Sequence, residues 1–103
     1  NSSEVPTVFE LMQNFPNPFN PTTTIRVALP ENSSVTLKIY DINGREIATL
    51  LNNESHSTGV MNYVFNSSAY NLSSGVYFYK VFASDESTRA LKFTEVKRMI
   101  LLK

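Results

Sequence analysis

The segment Gln13–Thr22 constrains this chain more than any other stretch. It contains three of the five prolines in the sequence. Each proline fixes its own φ and lacks a backbone N–H, and it also restricts the preceding residue to extended conformations. A helix is therefore excluded here. We expect a stiff, extended and turned connector with polyproline character.

Phe15 and Phe19 distinguish this segment from a simple linker. Aromatic rings on a rigid backbone lose little conformational entropy when they dock. We therefore expect both rings to be largely buried against the rest of the fold. The neighbouring asparagines can stabilise turns by bonding to nearby backbone groups. The alternative interpretation is a solvated proline-rich linker, for which two phenylalanines would serve no purpose.

The composition indicates one globular domain that is rich in strands. The chain has 103 residues, of which 42% are hydrophobic, and serine, threonine and asparagine are abundant. The formal net charge is zero, so no overall field favours nucleic acid or another polyion. Cysteine is absent, which excludes disulfides, thiol catalysis and cysteine-bound metals. No apolar run approaches the roughly 20 residues of a membrane-spanning helix.

Several short runs alternate apolar and polar residues with a period of two, which is typical of half-buried strands. The dipeptide Asn43-Gly44 between two such runs predicts a hairpin turn. The polar run Asn52–Thr58 is expected to be a loop. The fold predicted from about seven strands is all-β, an immunoglobulin- or fibronectin-III-like antiparallel β-sandwich. The runs are 22–29, 35–42, 47–51, 59–65, 76–81 and 89–102, with a possible short first strand at 8–12.

The run Val76–Val81 is apolar on both faces and predicts a central strand. The preceding order Leu-Ser-Ser-Gly is similar to the corner of immunoglobulin-like folds, in which a tyrosine hydroxyl bonds to upstream backbone. Tyr77 is the candidate for that bond. The alternative is a tyrosine that is simply packed.

Four ordered blocks, Pro6–Ile25, Val35–Leu50, Leu72–Val81 and Lys97–Lys103, together resemble the type A C-terminal sorting domains of the bacterial type IX secretion system. Proteins of the Bacteroidetes and related phyla carry these domains. They are immunoglobulin-like sandwiches, similar also to a domain of the flagellar hook-cap protein. The signature and structural positions that the resemblance identifies are Asn14, Phe15, Pro16, Asn17, Pro18, Phe19, Asn20, Pro21, Asn43, Gly44, Gly75 and Tyr77.

The resemblance implies a non-catalytic signal domain that directs a cargo protein across the outer membrane to the cell surface or medium. Its implied partners are the outer-membrane secretion machinery and an N-terminal cargo domain. We expect a monomer in which residues 1–7 are the remnant of a linker and residues 8–103 form the domain. Two departures from the family pattern are Asn43, where an apolar residue is common, and extra residues around 88–92.

No constellation for catalysis or for a cofactor is recognisable, and we expect neither. His56 is the only histidine and lies in a polar run, which indicates a solvated position. Asp41, Asp85 and Glu86 would bind calcium only if loops brought carbonyl oxygens around them, so we expect no metal site.

The C-terminal strand is the candidate for the export signal. Four consecutive apolar residues place two side chains away from the core whichever face is buried. Positive charges bracket them, so the strand would suit a sheet edge covered by a receptor. The alternatives are a central strand or an edge whose lysines only discourage aggregation. The candidate receptor-contacting residues are Lys97, Arg98, Met99, Ile100, Leu101, Leu102 and Lys103.

A different function also fits the fold, namely an accessory binding module of a secreted hydrolase or adhesin that recognises carbohydrate or protein. Sugar binding usually needs exposed aromatic side chains on a flat surface. Only Tyr40, Tyr63 and Tyr70 are candidates, and the chain has no tryptophan.

Overall fold

The structure is a computed structural model that describes residues 6–103. Most of the predicted linker remnant, residues 1–5, therefore lies outside the described residues. The fold contains seven strands and one short 3₁₀ helix at Ser67–Tyr70. The strands are β1 Glu10–Leu11, β2 Thr22–Leu29, β3 Ser33–Tyr40, β4 Glu46–His56, β5 Gly59–Asn66, β6 Gly75–Asp85 and β7 Leu91–Leu101.

The seven strands form two antiparallel sheets that face each other. One sheet has the order β1-β2-β5 and the other has the order β4-β3-β6-β7. This arrangement confirms the predicted β-sandwich. It also confirms that β6 is central and shows that β7 is an edge strand rather than a central one.

The core lies between the sheets and is built by alternation. In β2 the buried residues Ile25, Val27 and Leu29 share one face, because successive side chains of a strand point to opposite sides. β3 and β6 supply the facing layer in the same way. The fully buried members from these two strands and β7 are Val35, Leu37, Ile39, Tyr79, Val81, Ala83, Met99 and Leu101.

β4 is longer than the sequence predicts. The expected loop at Asn52–Thr58 is wrong, because β4 continues to His56. Its polar end pairs with the start of β3, where Ser33 lies opposite His56. Because β4 is an edge strand with register shifts, most of these side chains face solvent, and a polar sequence is compatible with a strand there.

The turn between β3 and β4 is the predicted hairpin. Gly44 has a φ of 84°, a conformation that favours glycine. Asp41 caps the turn, with its Oδ1 atom accepting from the backbone N–H groups of Asn43 and Arg45, both at 2.9 Å. These bonds, above all the one from Arg45, hold the pKa of Asp41 below its ordinary value.

Candidate functional site

The proline-rich stretch, residues 13–22, is organised around Asn14, whose side chain is 2% exposed. Its Nδ2 atom donates to Thr23 Oγ1 at 3.0 Å and to the carbonyl of Pro16 at 3.2 Å. Its Oδ1 atom accepts from Gln13 Nε2 at 2.7 Å. A buried amide is stable only with such partners. Asn14 therefore fixes the path of the stretch, whose three X–Pro peptide bonds are cis.

Tyr79 of β6 anchors the beginning of the stretch from the core. Its hydroxyl donates to the carbonyl of Met12 at 2.7 Å and accepts from the backbone N–H of Asn14 at 2.7 Å. Burial raises the pKa of Tyr79 to about 12, which keeps the donating hydroxyl protonated. The sequence pattern places Tyr79 in a central strand and does not predict this anchoring role. The available signal was a second tyrosine on the face of Tyr77.

The two phenylalanines of the stretch have opposite surroundings. Phe19 is 3% exposed and meets Phe65 edge to face, with ring centroids 6.1 Å apart. Phe15 is 77% exposed, so the prediction that both rings are buried is wrong for Phe15. The cause is its backbone pairing with Thr24, which lies on the outer face of β2 between buried neighbours.

The stretch also covers part of the outer edge of β7. The N–H of Phe19 donates to the carbonyl of Ile100, and the N–H of Leu102 donates to the carbonyl of Phe19, both at 3.0 Å. Asn17 Oδ1 accepts from the N–H of Ile100 at 2.9 Å. Gln13 Nε2 donates to the carbonyl of Arg98 at 2.7 Å. The carbonyl of Arg98, both main-chain groups of Ile100 and the N–H of Leu102 are therefore satisfied within the domain.

The predicted receptor-contacting residues divide between core and surface. Met99 and Leu101 are fully buried, and Lys97 is half-buried with its Nζ atom 3.5 Å from Glu95 Oε2. The other members face outward to different extents, and Leu102 is 56% exposed. Arg98 and Lys103 are exposed, and Ile100 is half-buried.

A groove of about 460 Å³ lies beside this strand on the outer surface of the four-stranded sheet. Phe78 of β6 and Val96 of β7 contribute apolar surface to the groove, and Val96 is 50% exposed. Its remaining lining residues are Gln13, Asn17, Lys97, Arg98 and Ile100. The groove thus combines exposed apolar surface, two cations and side-chain amides.

The predicted corner residues have structural roles. Tyr77 Oη donates to the carbonyl of Ser73 at 2.7 Å, which confirms the predicted corner. Gly75 begins β6 and pairs with Leu101 of β7. The corner therefore fixes the strand beside which the C-terminal residues lie.

His56 lies at the end of β4, and its Nε2 atom is 3.5 Å from Glu54 Oε1. Residues 6–103 contain no cluster of three or more potential metal-binding side chains. Within the same range, no helix has the length and apolarity that crossing a membrane requires.

Comparisons with known proteins agree with the fold and the motifs. The family described as "Secretion system C-terminal sorting domain" matches residues 13–94. No curated protein matches the chain. The structure is similar to that of dimeric latent PorU from Porphyromonas gingivalis, with a TM-score of 0.66 and 19% identity, over 92% of this chain and 9% of that one. The likeness to PorU shows a shared fold.

The match covers most of the chain, from the proline-rich stretch into β7. Domains of this family are non-catalytic signals on cargo proteins of the type IX system, which exports its cargo across the outer membrane to the cell surface or medium. The chain belongs to the family of type IX secretion C-terminal sorting domains.

Proposed function

We propose that the outer-membrane secretion machinery recognises this domain in its folded form, through the C-terminal segment Lys97–Lys103. The observation that carries the proposal is the position of β7 at a sheet edge, with apolar and basic side chains directed outward. Exposed apolar surface beside positive charge is unfavourable for a domain acting alone and favourable for one that docks.

Within this segment, the two kinds of position have separate roles. Met99 and Leu101 pack in the core and hold the strand on the sheet. Arg98, Leu102 and Lys103 are exposed and are the residues that we propose to contact the receptor. Ile100 and Lys97, both half-buried, complete the contact surface.

The proposed layout of the chain follows from this role. Residues 8–103 form the sorting domain, and residues 1–7 belong to a linker from the cargo. The domain acts as a monomer and has no enzymatic activity of its own. A hydrolase screen in which His56→Ala removed a measurable turnover would contradict the last point.

The test is delivery of a reporter. The chain is fused behind a fluorescent protein that is first exported to the periplasm, in a host with a working type IX system. We expect the fusion at the cell surface or in the medium, and we expect it to stay in the periplasm in a host whose type IX system is deleted. Surface delivery in both hosts, or in neither, would refute the proposed export function.

The C-terminal assignment needs a variant that leaves the core intact. Deleting 101–103 removes the buried Leu101, whereas Leu102→Asp combined with Lys103→Glu changes exposed positions only. We expect the double variant to melt within a few degrees of the parent and to stay in the periplasm as a fusion. Normal delivery of the double variant would rule out a role for the exposed end of the strand.

A further inference from the structure

The outer edge of β7 is covered along only half of its length. Main-chain groups of alternate residues point outward, and those of Ile100 bond to the proline-rich stretch. The same alternation directs the N–H and C=O groups of Val96 and Thr94 outward. Among residues 6–103 no partner for these groups is present. The main-chain groups of Thr94 and Val96 and the N–H of Arg98 thus form an open edge.

The open edge is regular, unlike the other edge of the same sheet. β4 has three register shifts against β3, and its Asn53 has a positive φ of 53°. Such irregularities discourage the pairing of another strand. β7 has its register shift at the far end, beside Ser84, and is regular from Phe93 to Leu101. An added strand can therefore extend the hydrogen-bond ladder at β7.

The side chains beside the open edge indicate which kinds of side chain an added strand would need. Val96 and Phe78 line the groove of about 460 Å³ and offer an apolar surface to one side chain. Arg98 is the partner of Phe78 in the neighbouring strand, and its side chain lines the groove beside that ring. Gln13 and Asn17 close the groove where the proline-rich stretch covers the edge. This closure sets the end of an added strand at Arg98.

The charge at this edge is positive. Lys92 and Arg98 flank the edge on either side. Lys80, which pairs with Val96, adds a cation on the outer face, with its Nζ atom 5.0 Å from the centroid of the Phe82 ring. Glu95 is the one acidic residue of β7. A partner with acidic side chains is therefore complementary.

We propose that this open edge binds an extended segment of another protein, in which apolar and acidic residues alternate, as a fifth strand of the sheet. The inference rests on the proposed function in one respect, because the segment would belong to the export machinery. A second copy of this chain fits less well. Two β7 edges paired around a twofold axis would bring Lys92 and Arg98 of the two copies together.

The test is a nuclear magnetic resonance titration of the 103-residue chain with two capped synthetic heptapeptides. One alternates valine with aspartate, and the other alternates valine with lysine. We expect the acidic peptide to shift the amide signals of Thr94, Val96 and Arg98 and to slow exchange of these amides. The basic peptide should bind at least about tenfold more weakly, which corresponds to about 1.4 kcal/mol.

Two variants distinguish strand addition from charge attraction. Val96→Pro removes an outward N–H without breaking the pairing with β6, and prolines are tolerated at such edge positions. We expect Val96→Pro to weaken binding of the acidic peptide about tenfold and to leave the amide signals around Tyr79 unchanged. Arg98→Glu should also weaken binding of the acidic peptide about tenfold, and it should strengthen binding of the basic peptide. Arg26→Glu makes the same charge change on the opposite sheet and should have no effect.

Binding of neither peptide, equal binding of both, or shifts centred on β4 would overturn the proposal. Association of the chain with itself that Val96→Pro abolishes would also overturn it, by identifying a second copy as the occupant.

The reporter fusion separates this inference from the proposed function. If the parent fusion is exported and Val96→Pro stops it, the edge is the docking surface. If both are exported, the sorting function stands and the edge is not used for it. If the parent fusion is not exported, the proposed function fails, and the peptide titration still decides whether the edge accepts a strand.

Discussion

At the scale of single residues, Phe15 and Phe19 show how one segment can serve both the core and the surface. Phe19 packs on Phe65 between the sheets, whereas Phe15 projects from the opposite side of the same stiff backbone. Removing the Phe19 ring leaves a cavity between the sheets, whereas removing the Phe15 ring does not.

We expect Phe19→Ala to lower the free energy of unfolding by about 3–5 kcal/mol. Phe15→Ala is the matched control and should change it by no more than about 0.5 kcal/mol, the usual range for a surface substitution. Urea denaturation of both variants measures the difference. Equal losses in the two variants would contradict the opposite burial of the two rings.

Tyr79 makes the stability of the folded domain depend on pH in the alkaline range. Its pKa is raised from 10.0 to about 12 in the folded state, so folding favours the protonated hydroxyl. The stabilisation is fully present below the unfolded pKa of 10.0 and is lost as the pH rises from there towards 12. We expect stability to fall across this window in the parent protein.

Tyr79→Phe is the control for this effect. It leaves the Met12 carbonyl and the Asn14 N–H without their partner, which costs about 1–3 kcal/mol at neutral pH. The fall between pH 10 and 12 should then be shallower than in the parent, as measured by urea denaturation across that range. Identical pH profiles would exclude Tyr79 as the group responsible.

At the scale of elements, the important pairing is that of the proline-rich stretch with β7. These segments are far apart in sequence and meet through main-chain and side-chain hydrogen bonds at Ile100. The stretch behaves as a short additional strand beside the C-terminal end of β7, where Phe19 and Leu101 form a parallel bridge. It thereby limits the edge that remains open.

We expect Asn17→Ala to expose the Ile100 amide, because the Asn17 side chain is its acceptor. Hydrogen exchange at that amide should accelerate roughly tenfold, with a loss of about 0.5–1.5 kcal/mol in stability. Asn20→Ala, in the same stretch and also before a proline, is the control and should leave the exchange rate unchanged. Acceleration of equal size in both variants would mean that Asn17 has no specific role.

At the scale of the whole molecule, the two sheets share one core. Buried residues from both sheets form a single hydrophobic cluster, which includes Ile25 from one sheet and Leu37 from the other. Neither sheet can keep its inner face dry without the other. The domain should therefore unfold as one cooperative unit.

The expected result is one transition with the same midpoint in far-ultraviolet and near-ultraviolet circular dichroism. Ile25→Ala and Leu37→Ala, one in each sheet, should move both signals together. Separate midpoints, or a variant that shifts only one signal, would show that the domain does not unfold in a single cooperative step.

Local sequence determined much of this architecture. The period-two pattern of 22–29 reproduces β2, because one apolar face per strand is the simplest way to bury alternating residues. The turn at Asn43-Gly44 is also local, because Gly44 supplies the positive φ and Asp41 caps the turn through its side chain. The prolines exclude a helix at 13–22 for the same local reason. The matching motifs also identify the family, which the comparison confirms.

Which side chains of the proline-rich stretch face the core, and which face solvent, was decided only by the tertiary structure. Phe15 is outside because it pairs with Thr24, and Phe19 is inside because it pairs beside Leu101. Local sequence cannot encode this, since shifting a pairing by one residue reverses the face of every side chain. The extent of β4 and the cover over Ile100 depend on long-range pairing in the same way. Which residues are accessible to a binding partner therefore depends on how the two sheets assemble.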